Sequence, residues 1–202
     1  AQAIIIADTD NNQITAFHPG AMQNAHLIDV PARADLKIGI IAPDGREAML
    51  SHAEQFHAAG IPFVFDPGQG LPMFDGAELR HFIGLSDWVA VNDYEGHMLS
   101  ERTGWSLAEV SQQVRGLVVT LGEHGVDVWE QGQAQRIAGE RAEQVLDPTG
   151  CGDAFRAALL FGLSQGWPLA RCAALGNRMG ARKIASRGPQ NYQLSDADRM
   201  PA

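Results

Sequence analysis

The strongest constraint on this chain is an alternation. Short β-prone apolar runs, Ile38 to Ala42, Pro62 to Phe65, Trp88 to Val91 and Leu117 to Leu121, recur along the sequence. A helical stretch from Arg46 to Ala59, stopped by Gly60, separates the first two. Helical stretches from Asp93 to Arg102 and from Leu107 to Val114 separate the last two. The span between Asp66-Pro67-Gly68, which ends the second run, and Trp88 is assigned no element. Parallel strands cannot be joined by a tight turn and need a crossover of this kind. Strands covered on both faces read as continuous apolar runs, as these do. The order therefore predicts an α/β fold with a mostly parallel central sheet and helices on both faces, in three layers. Ligands of such sheets bind at the carboxyl ends of the strands.

The remaining elements fit around that sheet. Ala3 to Ala7 and Gln13 to Phe17 flank the turn chemistry of Asp8 to Asn12 and predict a hairpin. Val126 to Glu130 and Ala134 to Ile137 predict another around Gln131-Gly132. Val145-Leu146-Asp147 reads as a strand leading into a glycine-rich turn. A long apolar helix follows from Asp153 to about Gln165, ended by Gly166 and Pro168. A last helix runs from Leu169 to about Ala185. With 202 residues, 45% of them hydrophobic, one domain is expected. The net charge of −9 repels phosphate backbones and anionic lipid, so neither nucleic acid nor membrane is an expected partner. No apolar run approaches the roughly 18 residues of a membrane span. The two cysteines, Cys151 and Cys172, form neither a disulfide framework nor a metal cluster, which fits a reducing cytoplasm. The seven histidines show no metal spacing, and the four tryptophans read as core or edge packing.

Chemistry concentrates in Asp147-Pro148-Thr149-Gly150-Cys151-Gly152-Asp153-Ala154-Phe155. Gly150 and Gly152 let the backbone turn tightly and approach a ligand. The first N–H groups of the helix that follows have no intrahelical partner and, with the helix dipole, favour an anion such as phosphate. Asp153 stands at the mouth of that site, where a carboxylate can take a proton from an attacking hydroxyl. The same residues also read as a plain strand-to-helix turn with Asp153 as N-cap. A Walker loop is excluded because no Gly-Lys-Ser/Thr occurs. A dinucleotide fingerprint is excluded because Phe155 stands where its third small residue belongs.

This run resembles the second signature of the PfkB family, the ribokinase and adenosine kinase group, with Cys151 in place of the usual Ala. The resemblance implies a ribokinase-like fold and an ATP-dependent phosphotransferase acting on an alcohol of a sugar or nucleoside. It implies Asp153 as catalytic base, with the amides of Gly150, Cys151 and Gly152 as an anion hole. Asn92-Asp93-Tyr94-Glu95 resembles the Asn-x-x-Glu motif that orders Mg²⁺ and its waters beside ATP, Glu95 acting through water. The same spacing is a capping box, and both readings can hold together. Thr120-Leu121-Gly122-Glu123-His124-Gly125 resembles the family's nucleotide-contacting turn, although it also reads as an ordinary strand-to-turn connection. Asn177 falls on the helix that lines the adenine pocket in relatives, and it reads equally as a surface or capping residue. Gly20-Ala21-Met22 and Asp66-Pro67-Gly68 resemble further family segments. Ser186 to Gln190 resembles the loop that holds a monovalent cation such as K⁺ in many members, with Asp147, Thr149, Ser186 and Gly188 as the implied ligands, although it also reads as a plain helix-ending loop.

The resemblance runs from about Gly20 to Gln190. The family's substrate-binding Asp on a first strand, its Gly-Gly-x-x-x-Asn motif and most of its lid are not found. The expectation is a truncated form with residues 1–19 as the remnant of a lid hairpin and residues 20–202 as the nucleotide-binding α/β domain. A homodimer through the lid is a compatible arrangement. Two rival readings remain: a thiol nucleophile at Cys151, and a non-catalytic nucleotide-binding or regulatory module of the same fold.

Overall fold

The computed structural model describes residues 1–7, 13–31 and 33–194. The turn expected at residues 8–12 lies outside them. Strands β1 (Gln2–Ala7) and β2 (Gln13–His18) pair antiparallel as a sheet of their own, with Gln2 opposite His18. A 3₁₀ segment, Gly20–Leu27, leads to the main sheet. That sheet has six strands in sequential order: β3 (Gly39–Ile41), β4 (Phe63–Phe65), β5 (Trp88–Asn92), β6 (Gly116–Thr120), β7 (Val126–Glu130) and β8 (Gln133–Ile137). β3 to β6 are parallel, while β7 and β8 are antiparallel additions, so the sheet is mixed with a parallel core. The β7–β8 turn uses Gln131 at φ 51° and Gly132 at φ 82°. Two positive φ values in succession match the twist of a two-residue hairpin.

Alternate side chains explain why both faces need cover. Phe63 and Phe65, Val89 and Val91, and Leu117 and Val119 belong to one buried cluster. Val64, Ala90 and Val118, the residues between them, belong to another. The first face is covered by α1 (Arg46–Ala58), α2 (Gly76–Leu85), α3 (Asp93–Thr103) and α4 (Leu107–Gln113), through Met49, Ala53, Phe82, Leu99 and Val110. The second is covered by α5 (Cys151–Ser164) and α6 (Leu169–Ile184), through Phe155, Leu159, Cys172 and Ala173. These two helices approach closely at glycines. A Cβ on Gly176 would stand 2.5 Å from the Phe155 ring, and one on Gly162 would stand 2.6 Å from Cys172 Sγ. The expected three layers are present.

Three local expectations need correction. Helix α2 fills the span left unassigned. Its start is a full capping box, the Asp75 side chain accepting from Ala77 and Glu78 N–H while Glu78 accepts from Asp75 N–H. The segment before the glycine turn is not a strand. Its N–H groups at Leu146 and Asp147 both donate to the Ile184 carbonyl, at 2.9 and 3.2 Å, so the end of α6 takes the place of a sheet neighbour. Finally, α5 starts at Cys151 with Gly150 as N-cap, and Asp153 lies inside its first turn rather than capping it.

Candidate active site

The carboxyl ends of β4, β5 and β6 and the first turns of α5 supply four polar groups along one edge of the sheet. β4 runs straight into Asp66, which is only 2% exposed. β5 ends at Asn92, the N-cap of α3, whose side chain accepts from Glu95 N–H at 2.7 Å while Asn92 N–H donates to Glu95 Oε2 at 2.8 Å. The capping reading of this motif therefore holds, and it fixes the Glu95 carboxylate at the strand end. Asn92 is the register partner of Thr120 at the end of β6, so the two expected nucleotide-side residues are neighbours across the sheet.

The fourth group was not anticipated. Arg156, one turn into α5, reaches back to the sheet, where its guanidinium pairs with both oxygens of Asp66, the Nη2 bond being 2.8 Å. The same Nη2 lies 4.0 Å from Glu95 Oε2. Burial raises the Asp66 pKa, opposed by the hydrogen bond and the charge of Arg156, while Glu95 and Asp153 raise it further. Asp66, Glu95, Asp153 and Arg156 thus form one electrostatic group of three carboxylates and one guanidinium. The Asp153 side chain is exposed on its solvent side. A Cβ on Gly152 would stand 2.5 Å from Arg156 Nη1, so a side chain there would push the guanidinium aside.

Gly150 turns the chain at φ 87°, ψ 3°, a left-handed conformation that favours glycine. Its Cα faces Pro189, and a Cβ would come within 2.8 Å of Pro189 Cβ. The Cys151 N–H donates to the Pro148 carbonyl at 3.1 Å, so of the three expected anion-hole amides this one already has a partner. Burial raises the Cys151 pKa. A thiol nucleophile needs the opposite shift, so this argues against the thiol reading.

The expected cation ligands gather at the end of α6. Asp147 accepts from Thr149 N–H at 2.9 Å through Oδ1 and from Gly188 N–H at 2.8 Å through Oδ2. These bonds, chiefly that of Gly188, hold its pKa down at about 2. Lys183, unremarked in the sequence, is fully buried among these residues. Its Nζ donates to the Asp147 carbonyl at 2.7 Å and to the Ser186 carbonyl at 3.1 Å, 4.0 Å from Asp147 Oδ2.

The expected nucleotide turn is a 3₁₀ turn, Gly122–His124, closed by Leu121 N–H donating to the Gly125 carbonyl at 2.8 Å. A Cβ on Gly125 would meet the backbone at Ile137 to Gly139. Asn177 meets that same segment, donating to the Ala138 carbonyl at 2.8 Å and so tying α6 to the exit of β8. Among the described residues no cluster of three or more His, Cys, Asp or Glu forms a metal cage. Mg²⁺ does not need one, since it binds through one or two carboxylates plus substrate phosphates and retained waters, and Glu95 fits that pattern. No helix among the described residues is long and apolar enough to cross a membrane.

Comparison with known proteins gives the family and the fold. Residues 1–196 match the model of the pfkB family carbohydrate kinase. The chain is similar to the solved structure of a Burkholderia thailandensis nucleoside kinase in complex with inosine, at 49% identity and a TM-score of 0.91, covering 98% of this chain and 65% of that one. It is 29% identical over 189 residues to a nucleoside kinase of Methanocaldococcus jannaschii, which covers 94% of this chain and 62% of that protein. A Cryptococcus neoformans ribokinase in complex with ADP shares the fold at 21% identity and a TM-score of 0.77, covering 98% of this chain and 70% of that one. The chain spans less than two thirds of the length of the two nucleoside kinases.

Proposed function

Because this chain belongs to the pfkB family of carbohydrate kinases, we propose that it carries the phosphoryl-transfer centre of an ATP-dependent kinase whose acceptor is a hydroxymethyl group of a nucleoside. The single observation that carries the reading is the exposed Asp153 carboxylate in the first turn of α5, one residue beyond Gly152 and beside the Asp66–Arg156 pair. In the reaction, the acceptor oxygen attacks the γ-phosphorus, the bond from that phosphorus to the ADP oxygen breaks, and the hydroxyl proton passes to Asp153. The glycine turn and the positive end of α5 stabilise the charge on the transferring oxygens. Glu95 would hold Mg²⁺ through water, and the ion would neutralise phosphate charge. Thr120, Gly122, Gly125 and Asn177 are the proposed nucleotide side. The preference for a nucleoside over a free sugar draws on the inosine bound by the Burkholderia relative.

The test is Asp153→Asn, assayed by ADP release with ATP and inosine. Turnover should fall by on the order of 10² or more, as the loss of a general base entails. Binding of ATP, measured by calorimetry, should persist. Turnover within a few fold of the parent would remove Asp153 from the role.

A further inference from the structure

Lys183 is the one fully buried charge on the helical layer formed by α5 and α6 among the described residues. An ammonium has three donors and no acceptor, and its burial is costly unless it is hydrogen-bonded and near an anion. Here both conditions hold. Two bonds go to the carbonyls of Asp147 and Ser186, and the Asp147 carboxylate lies at 4.0 Å. Lys183 also lies in the last turn of α6, where the helix dipole favours a cation.

These partners are the ones the sequence assigned to a monovalent metal ion. A bound ion requires carbonyl and carboxylate oxygens turned toward it. Two such carbonyls are spent on Lys183, while the carboxylate is gripped by the amides of Thr149 and Gly188. A second cation among these same oxygens would stand close to the buried ammonium, and like charges at that distance repel. The residues therefore do not fit a bound K⁺.

We propose that the Lys183 ammonium is the built-in cation of this site. It clamps the Asp147–Gly152 turn to the 186–189 loop, so neither the structure of the turn nor the transfer step requires a monovalent metal ion. Lys183 is a positioning residue. It acts through the Asp147 carbonyl on Gly150, which packs against Pro189 in the second loop. The catalytic consequence rests on the kinase reading above, whereas the structural consequence does not.

Two measurements test this separately. In the first, thermal melting is followed as K⁺ replaces choline at constant ionic strength, using the parent protein and Lys183→Ala. The parent melting temperature should not respond to K⁺. The variant should melt lower and regain stability with K⁺ or NH₄⁺ more than with choline, since the small ions can enter the space vacated by the ammonium. In the second, ADP release with ATP and inosine is measured in the same salts. The parent should be insensitive to K⁺, and Lys183→Ala should lose on the order of 10²-fold, the scale of a turn displaced by about 1 Å, with partial rescue by K⁺ or NH₄⁺. A parent whose melting temperature or turnover rises with K⁺ over choline would overturn the proposal, and so would a variant that neither ion rescues. If Lys183→Ala does not fold, the response of the parent to K⁺ decides. If the parent shows no turnover in any salt, the kinase reading fails while the melting measurements still judge the clamp.

Discussion

Replacing Arg156 by Met should unmask a buried carboxylate. Asp66 has a side chain only 3% exposed and is paired with an Arg156 side chain 23% exposed. Removing one partner of a fully buried pair costs about 3–5 kcal/mol. Solvent reaches one end of this guanidinium and Met retains most of the packing, so about 2–3 kcal/mol is expected here. For a protein of this size each kcal/mol shifts the melting temperature by about 2–4 °C, which gives a fall of about 4–12 °C near pH 8. The pH dependence carries the stronger test. Burial already raises the Asp66 pKa, and the hydrogen bond from Arg156 is the chief force holding it down. In the variant that force is gone, and the folded pKa climbs further above the unfolded value of about 4. A raised folded pKa means that the folded state binds the proton more tightly, so stability is lost as pH rises through it. The deficit should thus be largest at pH 8 and shrink as the pH is lowered and Asp66 takes up its proton. Differential scanning calorimetry at pH 8 and at lower pH reads this directly, and adding Asp66→Asn should remove most of the deficit at pH 8. A variant that melts with the parent, or a deficit that ignores pH, would refute the assignment of Asp66–Arg156 as a buried ion pair.

Two further outcomes concern the glycine turn. Gly150→Ala places a Cβ 2.8 Å from Pro189 Cβ at a residue with φ 87°. It should cost about 1–2 kcal/mol for the left-handed backbone alone and more for the displaced loop, with turnover falling on the order of 10²-fold. Gly166→Ala, which has positive φ but open space around it, should cost only the backbone share, and equal losses in the two variants would discount the contact with Pro189. Asp147 has a folded pKa lowered to about 2. Its contribution to stability is present above the unfolded value of about 4 and is lost as pH falls toward 2. Melting curves should therefore show a steeper acid decline for the parent than for Asp147→Asn over that window, and superimposable profiles would contradict the bonds from Thr149 and Gly188.

The order of apolar runs and helices decided the architecture because parallel strands buried on both faces leave few alternatives. The same local chemistry placed the Asn92–Glu95 cap, the β7–β8 turn and the start of α5 within two residues. It also marked Asp153, since a carboxylate following two glycines at a helix start is a local pattern. Helix α2 left a local trace in Asp75-Gly-Ala-Glu78, but Pro72, Gly76 and Gly84 blurred the helical pattern around it. The absent strand before the turn was not local at all. Val145 and Leu146 have the composition of a strand, yet the acceptor for the N–H groups of Leu146 and Asp147 is the carbonyl of Ile184, far along the chain. Arg156 and Lys183 belong to the same class. An Arg within an apolar helix has no visible partner until β4 brings Asp66 to it. A Lys near a helix C-terminus resembles any solvated basic end, although it follows Met179, Gly176 and Cys172 by 4, 7 and 11 residues, which puts it on the buried face of α6. Sequence alone determined which segments could be strands, helices and phosphate-facing turns, because those depend on neighbours along the chain. Only tertiary structure decided which charges are buried and what neutralises them, because a charge is matched by groups brought close in space.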